Sequence, residues 1–440
     1  MDVGLRLGAI CQSARLLVLS FFSLTLLAAC AKSDSRKVET FRKTTAQCAS
    51  TAVAKQYVVR WKDGTTVVYK DTSEEKLLKE VIEPNESEID VAEQDQKVRL
   101  SPPAQSLLDS DSDVLRSQAF ANDTTNWGQD KIEASSPSTL GYSGKDVIVA
   151  VIDSGVQRNH PQLKSRMYIN PGESGLDSQG RDKATNGIDD DGNGLIDDVS
   201  GYDFADESGV VNDGSGHGTH VSGVIAADSS AGTIRGLAQG AKILPLDFMT
   251  NDGSGNISDA IRAMYYAASQ GAKVINASWG GAPCSSTLQK AITDIGAQGV
   301  LFVAAAGNSG VDIEAEPEYP AAFGLPTQIT VGASTSNDRM AIFSNYSYSL
   351  VNIMAPGVGI WSTYPGNSTQ SMNGTSMASP FVAGAAAVLF GARPNATPQQ
   401  VKSALLASVD AGPFQVETRG RLNLRKALIE IQKLPEAVKP

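Results

Sequence analysis

The sequence predicts an α/β fold: a doubly wound, mostly parallel sheet with helices on both faces, preceded by a small α+β module. Three observations lead there. Val147 to Ile152 form a continuous apolar run ending at Asp153, which is how a strand buried on both faces reads. Similar runs recur at 242–248, 273–277, 300–306 and 328–333. Between them apolar residues take helical spacing, as in Ile257, Ile261, Met264, Ala267 and Ala268. Strands and helices alternating in this way argue for parallel strands joined by crossover helices. Sites in such sheets form at the carboxyl ends of strands, and Asp153 stands at one.

Composition sets the outer bounds. A chain of 440 residues holds one large domain with smaller pieces, or two to three ordinary domains. Its 41% apolar content and 41 glycines suit a globular protein with tight turns. The formal charge of −11 argues against a nucleic-acid partner. The four cysteines, Cys11, Cys30, Cys48 and Cys284, lack the paired spacing of a zinc site and are too sparse for a disulfide framework. There are three histidines, His160, His217 and His220, so any histidine chemistry must use one of them.

In chain order, residues 1–29 read as an export signal. Arg6 and Arg15 precede an apolar run from Leu16 to Leu27, short for a bilayer span and right for a signal core. The run ends Leu27-Ala28-Ala29-Cys30, which resembles a bacterial lipobox and makes Cys30 the expected lipidation site. An ordinary signal with an incidental cysteine is the other reading. Ala31 follows the cysteine, which under the enterobacterial sorting rule favours the outer membrane. Residues 30–50 are polar and basic, a tether. Residues 51–100 read as an α+β module: strands at 56–61 and 65–69 around a Lys62-Asp63-Gly64 turn, a helix at 74–82, and a strand at 96–100. At about 50 residues it is marginal for independent stability. Residues 101–122 form an exposed, cleavable linker, rich in Ser, Pro, Asp and Gln. The large domain spans 123–434, and 435–440 are a tail.

Three local motifs carry chemistry. Asp153-Ser154-Gly155 closes the first strand of the large domain. His217-Gly218-Thr219-His220 opens a helix, and Asn373-Gly374-Thr375-Ser376-Met377-Ala378-Ser379-Pro380 opens another. Backbone N–H groups at a helix mouth lack intrahelical partners and favour negative charge. Pro380 is expected in about the first helical turn, where a missing N–H matters little. Singly, these motifs read as a turn aspartate, a surface histidine and a helix cap. Together they supply the three roles a serine nucleophile needs: a hydroxyl, an imidazole to take its proton, and a carboxylate to orient that imidazole. Spacing alone does not choose between His217 and His220.

The chain resembles the subtilisin family of serine endopeptidases from about Trp127 to Leu424. The resemblance is carried by Val151-Ile152-Asp153-Ser154-Gly155, His217-Gly218-Thr219-His220, Ala304-Ala305-Ala306-Gly307-Asn308 and Gly374-Thr375-Ser376-Met377-Ala378-Ser379-Pro380, in family order. It implies hydrolysis of peptide bonds through an acyl-enzyme, with Asp153 orienting, His217 as base and then acid, and Ser376 as nucleophile. It implies Asn308 and the Ser376 N–H as the oxyanion hole, and it makes His160 a structural loop residue. The triad positions are all filled, unlike those of a catalytically silent, calcium-binding surface or scaffold protein of the same fold, which is the alternative. Protein and peptide substrates are implied, and no cofactor for catalysis.

The resemblance extends to binding. Gly253-Ser254-Gly255 and Ser278-Trp279-Gly280 resemble the family's substrate-binding walls, which hold an extended peptide by backbone hydrogen bonds; each also reads as a plain turn. An acidic loop with Asp312, Glu314, Glu316 and Glu318 precedes Tyr319-Pro320-Ala321. The resemblance implies that Glu318 lies near the base of the pocket for the residue before the scissile bond and would favour Lys or Arg there; a solvated acidic loop is the other reading. Asp189, Asp191, Asn193 and Asp197 place oxygen ligands at alternate positions among glycines, which suits a structural calcium. Ser200 stands where an EF-hand would carry its closing Glu, and Gln162 replaces the Asp of the family's usual strong calcium site. The 51–100 module sits where the family keeps an inhibitory propeptide. A cut in the linker would separate the protease from the anchor at Cys30, so the resemblance and the signal together imply an exported cell-envelope lipoprotein, released on maturation.

Overall fold

The computed structural model describes residues 41, 51–100, 125–136, 139, 141–281 and 285–433. The expected signal, Cys30, the linker at 101–122, Cys284 and the 435–440 tail lie outside the described residues. The N-terminal module runs β1 (Ala52–Trp61), β2 (Thr66–Tyr69), α1 (Glu74–Leu77) continuing as a wider-turn helix over Leu78–Ile82, and β3 (Ile89–Leu100). The β1–β2 turn works because Gly64 adopts φ +96° and the Asp63 carboxylate accepts the Thr65 N–H at 2.8 Å. β2 and β3 flank β1, both antiparallel. Val59, Leu77, Ile82 and Ile89 form its core together with Phe41. Phe41 belongs to the expected tether, yet its ring packs on Tyr57 with centroids 5.9 Å apart; the one aromatic side chain in a basic stretch is what the module buries. β3 starts seven residues before the expected strand at 96–100. Its polar Glu93, Asp95 and Gln96 hide the strand pattern, and their buried partners lie on other elements.

The large domain follows as α2 (Trp127–Lys131), β4 (Ile148–Asp153), β5 (Tyr202–Asp203), α3 (His217–Ala226), β6 (Lys242–Asp247), β7 (Ser254–Asn256), α4 (Ile257–Ser269), β8 (Val274–Ala277), β9 (Trp279–Gly280), α5 (Ser286–Ala297), β10 (Leu301–Ala305), β11 (Gln328–Ser334), β12 (Ile353–Pro356), the hairpin β13 (Ile360–Tyr364) and β14 (Ser368–Met372), α6 (Thr375–Ala392), α7 (Pro398–Leu406), β15 (Asp410–Ala411), β16 (Gly420–Arg421) and α8 (Leu424–Lys433). The main sheet is ordered β15-β16-β12-β11-β10-β8-β4-β6-β5, and from β16 to β5 every pairing is parallel.

Alternate residues of each strand feed two cores. Val149, Val151, Val274 and Val303 pack with α3 and α6 on one face. Ala150, Ile152, Ile275 and Phe302 pack with α4 and α5 on the other. This is the expected doubly wound arrangement, and it explains the unbroken apolar runs. Truncating the fully buried Ile152 to alanine would cost about 2–5 kcal/mol. From β4 the chain builds β5 and then β6 on one side; it next passes β4 and lands on its other side as β8. That reversal opens a crevice at the carboxyl ends of β4 and β8, where the candidate residues gather.

Candidate active site

Asp153 ends β4, fully buried. Its Oδ1 accepts the Ser154 N–H at 2.8 Å and lies 2.7 Å from His217 Nδ1, so the imidazole's Nδ1–H donates to it. Gly155 then turns with φ +85°, and a Cβ there would stand 2.1 Å from the Asn212 carbonyl oxygen. The loop before α3 is held by Asp213, a residue the sequence reading missed. Asp213 accepts the N–H groups of Ser215, Gly216 and Thr219 and the hydroxyl of Ser154, at 2.6 to 3.1 Å. It is an anion at the mouth of α3, which stabilises that helix end, and it fixes where His217 begins. Asp213-Gly214-Ser215-Gly216 ahead of a helical pattern is the signal that marks it.

Burial opposes a charge on His217. Asp153 and then Asp213 outweigh it, and the imidazole's pKa lies above the ordinary histidine value. Its Nε2 is buried with no hydrogen-bond partner. His220 differs in every respect: Nε2–H donates to the carbonyls of Ile360 (3.0 Å) and Gln370 (3.1 Å), pinning the β13–β14 hairpin to α3. Burial and the nearby His217 push His220 down to about 3, so it is neutral. His160 donates to the Ser368 carbonyl from Nε2 at 3.1 Å and accepts the Gln162 N–H on Nδ1, a structural pair of contacts.

Ser376 is the second residue of α6, after Thr375, with Gly374 as the cap. Gly374 has φ +154°. Pro380 is therefore the helix's sixth residue, deeper than the first turn expected for it. Lacking an N–H, it leaves the Ser376 carbonyl without its intrahelical donor, and Ser278 Oγ–H supplies one at 3.0 Å. In return Ser376 Oγ–H donates to the Ser278 carbonyl at 3.2 Å. α6 is tied at its mouth to the end of β8 by this pair. Asn308, just past β10, accepts the Thr375 N–H and hydroxyl on Oδ1, both at 2.9 Å. Its Nδ2 lies 3.4 Å from where a Gly374 Cβ would stand. That distance is ordinary contact, so it is the φ of +154° that favours glycine here.

The two glycine-rich segments form walls, and a strand lies between them. β3 pairs antiparallel with β7 through Lys97–Asn256, Val98–Gly255 and Arg99–Ser254, and with β9 through Arg99–Gly280 and Leu100–Trp279. The Leu100 N–H donates to the Gly253 carbonyl at 2.9 Å. Val98 is buried in the apolar cluster of Trp279, Phe248 and Met249. Trp279 is set by a 2.9 Å bond from its indole N–H to the Ile152 carbonyl. Glu318 is half-buried; its carboxylate accepts the Ser309 hydroxyl at 2.8 Å, and Oε2 stands 2.2 Å from where a Gly307 Cβ would lie.

Behind the site, Asp153 pairs in register with Asp247, and Asp203 also pairs with Asp247, giving three adjacent strands each ending in a carboxyl. Burial and then Asp203, Asp153 and Asp213 push Asp247 up to about 8, against one backbone bond from Met249. The strand pattern concealed this row, since parallel strands only reveal their register once the sheet is ordered.

The acidic insertion brings Glu173, Asp189 and Asp191 together, with one oxygen of each within 4.8 Å of the others. Glu173 was not expected. It is fully buried, its Oε1 accepts the N–H groups of Asp190 (2.6 Å) and Asp191 (3.1 Å), and its Oε2 has no partner. A buried orphan carboxylate oxygen beside two further carboxylates fits a hard divalent cation. Asn193 directs its amide to Asp198 at 2.9 Å. Asp197 stands outside the group, accepting the Gly187 N–H at 3.1 Å. Glu173, 16 residues before Asp189, supplies a carboxylate that Ser200 does not; Ser200 Oγ donates to the Tyr168 carbonyl instead. At the family's usual strong site, the Gln162 amide donates to the carbonyls of Asp228 and Ile234, filling that position with hydrogen bonds.

A crevice with an Asp–His pair at a strand end, a serine at a helix mouth and two strand edges that take up an extended segment is the arrangement of the serine endopeptidases built on a doubly wound sheet. Residues 144–424 match the Subtilase family, Peptidase S8, and the chain belongs to it. Thermitase of Thermoactinomyces vulgaris is 34% identical over 305 residues, covering 69% of this chain and 95% of that protein. Subtilisin DY of Bacillus licheniformis is 33% identical over 306 residues, covering 69% and 98%. The crystal structure of a cold adapted subtilisin-like serine proteinase matches with a TM-score of 0.51 at 33% identity, covering 64% of this chain and 88% of that one.

Proposed function

We propose that Asp153, His217 and Ser376 form the hydrolytic triad of this serine endopeptidase, with Asn308 and the Ser376 N–H as its oxyanion hole. The observation that carries this reading is the buried 2.7 Å contact between Asp153 and His217 Nδ1, which fixes the tautomer and leaves Nε2 to take a proton. Ser376 Oγ attacks the scissile carbonyl as its proton passes to His217 Nε2, and Asp153 and Asp213 stabilise the imidazolium. The oxyanion that forms meets the Asn308 amide and the helix mouth. His217 then protonates the leaving amine, and water releases the acyl group by the same route. In the unliganded site Ser376 Oγ–H bonds to Ser278, so a rotation of the serine precedes attack. Labelling with a fluorophosphonate tests the assignment: the chain reacts, Ser376→Ala does not, and His217→Ala reacts at a small fraction of the rate. Equal labelling of Ser376→Ala would remove Ser376 from the role.

The module reads as this protease's own inhibitor, because 97–100 occupy both peptide-binding edges as a substrate strand would. The Glu173, Asp189 and Asp191 oxygens would hold a calcium ion that stiffens the insertion. The Leu27-Ala28-Ala29-Cys30 signal supports export as an envelope lipoprotein, and cleavage in the linker would release the mature domain. Sequencing the N-terminus of the active form tests this; an active form that retains Cys30 rejects release. Labelling by palmitate, lost in Cys30→Ser, tests the anchor.

A further inference from the structure

A cleft of about 470 Å³ opens beside the loop that follows β4. Arg158, Lys164, Met167, Ile169, Val211 and Asn212 shape it, and no carboxylate is among its lining residues. Arg158 is half-buried, and among the described residues its guanidinium makes one long contact, 3.5 Å to the Ser200 carbonyl. Among the described residues neither Arg158 nor Lys164 is in an ion pair. Arg166 close by is neutralised by Asp228 at 2.7 Å, and Arg60 and Arg421 are each held by two carboxylates. Burial lowers the pKa of Arg158, with no acid raising it again.

A guanidinium that has lost part of its water and gained no counter-ion favours any ligand that supplies one. Its planar fork matches the two oxygens of a carboxylate, with Lys164 as a second point charge at the rim. Apolar side chains share the lining: Met167 and Val211 are buried, while Ile169 is 52% exposed and offers uncovered aliphatic surface. A bare inorganic anion would leave that surface wet.

We propose that this cleft binds a carboxylate carried on a short aliphatic body, at a site separate from the hydrolytic crevice. A free small acid and the C-terminal residue of a peptide share that chemistry. Its loop is anchored to the catalytic side of the fold, since the Gln157 N–H donates to Thr219 Oγ1 on α3 at 2.9 Å and Gln157 Nε2 donates to Asn367 in the β13–β14 turn at 2.7 Å.

The test uses the full chain carrying Ser376→Ala, so that nothing is hydrolysed, and isothermal titration with N-acetyl-leucine, N-acetyl-leucinamide and acetyl-Ala-Ala-Leu. N-acetyl-leucine binds and its uncharged amide does not. Arg158→Gln weakens binding about tenfold or more, the scale of one lost charged contact, and Arg158→Lys falls between. Lys164→Gln, an exposed position whose loss leaves the fold intact, weakens it by a smaller factor, about threefold. Only binding that Arg158→Gln removes is counted, which separates this cleft from the crevice at Ser376. Tighter binding of acetyl-Ala-Ala-Leu than of N-acetyl-leucine makes the peptide terminus the source, and equal binding makes it the free acid; both support the site. Equal affinity for acid and amide, or undiminished binding in a folded Arg158→Gln and in Lys164→Gln, overturns it.

Discussion

Replacing Glu93 with alanine should loosen the module from the cleft, and the expected size follows from the structure. Glu93 is buried on β3 and crosses to the mouth of α5. There it accepts the Ser285 hydroxyl at 2.7 Å, the Ser286 N–H at 3.0 Å, the Thr287 N–H at 3.2 Å and the Thr287 hydroxyl. Hydrogen bonds to a charged group contribute about 1.5–3 kcal/mol each and do not add fully. An anion at a helix N-terminus contributes about 0.3–2 kcal/mol more. Burial opposes the charge and raises the pKa of Glu93 despite these bonds, and water entering the space left by alanine would recover a further part, so about 3–4 kcal/mol of docking is at stake, a factor of roughly 10²–10³. The partly exposed pairs that cross the same face, Arg60 with Asp294, Lys290 with Asp90 and Lys70 with Glu207, are each worth about 0–1 kcal/mol. Burial therefore sets apart Glu93 and its neighbour Asp95, which accepts the Ser258 N–H at 3.1 Å at the mouth of α4; Glu93 makes the larger set of contacts. Apparent affinity for a fluorescent peptide substrate, measured by anisotropy in the full-length Ser376→Ala chain, reports the fraction of open cleft. Glu93→Ala should tighten it by about 10²–10³. Glu93→Gln, which sets an NH2 against a backbone donor, should fall between. Unchanged affinity in a normally folded Glu93→Ala would refute both the docking energetics and the inhibitor role of β3.

Asn308→Ala should fold normally and lose roughly 10²–10³ in kcat on a peptide substrate, with KM little changed; undiminished turnover would remove it from the oxyanion hole. Asp247 gives a pH signature. Its folded pKa of about 8 lies above the ordinary value of 3.8, so the fold prefers the protonated acid. The stability it contributes is complete below about pH 4 and is lost as pH rises through 8, by up to about 1.4 kcal/mol per pH unit. Asp247→Asn lacks that slope, so calorimetry should show its Tm gaining on the parent between pH 6 and pH 9; a constant gap contradicts the shared burial of the three carboxyls. Chelator should lower the Tm, and Glu173→Gln should abolish most of that sensitivity while Asp197→Asn preserves it. For Glu318, the expected outcome is a preference for Arg over Leu before the scissile bond that shrinks about tenfold or more in Glu318→Gln; a Leu preference in the parent ends the idea.

What the sequence disclosed and what it withheld divide along one physical line. Strands, helices and the three candidate motifs were legible because each rests on residues near one another in the chain: apolar runs, helical spacing, glycines at forced turns. The residues that escaped are buried polar groups whose partners are distant. Glu93 meets α5 nearly 200 residues on, Glu173 meets an aspartate 16 residues on, and Asp153, Asp247 and Asp203 become neighbours only when the sheet is ordered. A carboxylate in a hydrophilic stretch looks solvated until the fold supplies what it touches. Pro380 makes the same point within the site. Read locally it belonged near the start of a helix; in the structure it lies five residues past Thr375 and strips the Ser376 carbonyl of its helical donor. Ser278 repairs that loss, and the repair binds the serine's helix to the strand whose continuation, β9, lines the cleft. Replacing Ser278 with alanine should therefore do two things at once: leave a buried carbonyl unsatisfied, at about 1–3 kcal/mol in stability, and free the Ser376 hydroxyl's helix to shift. The prediction is a lower Tm together with a kcat that falls more than KM rises. A normal Tm with reduced kcat would place Ser278 in contact with substrate instead.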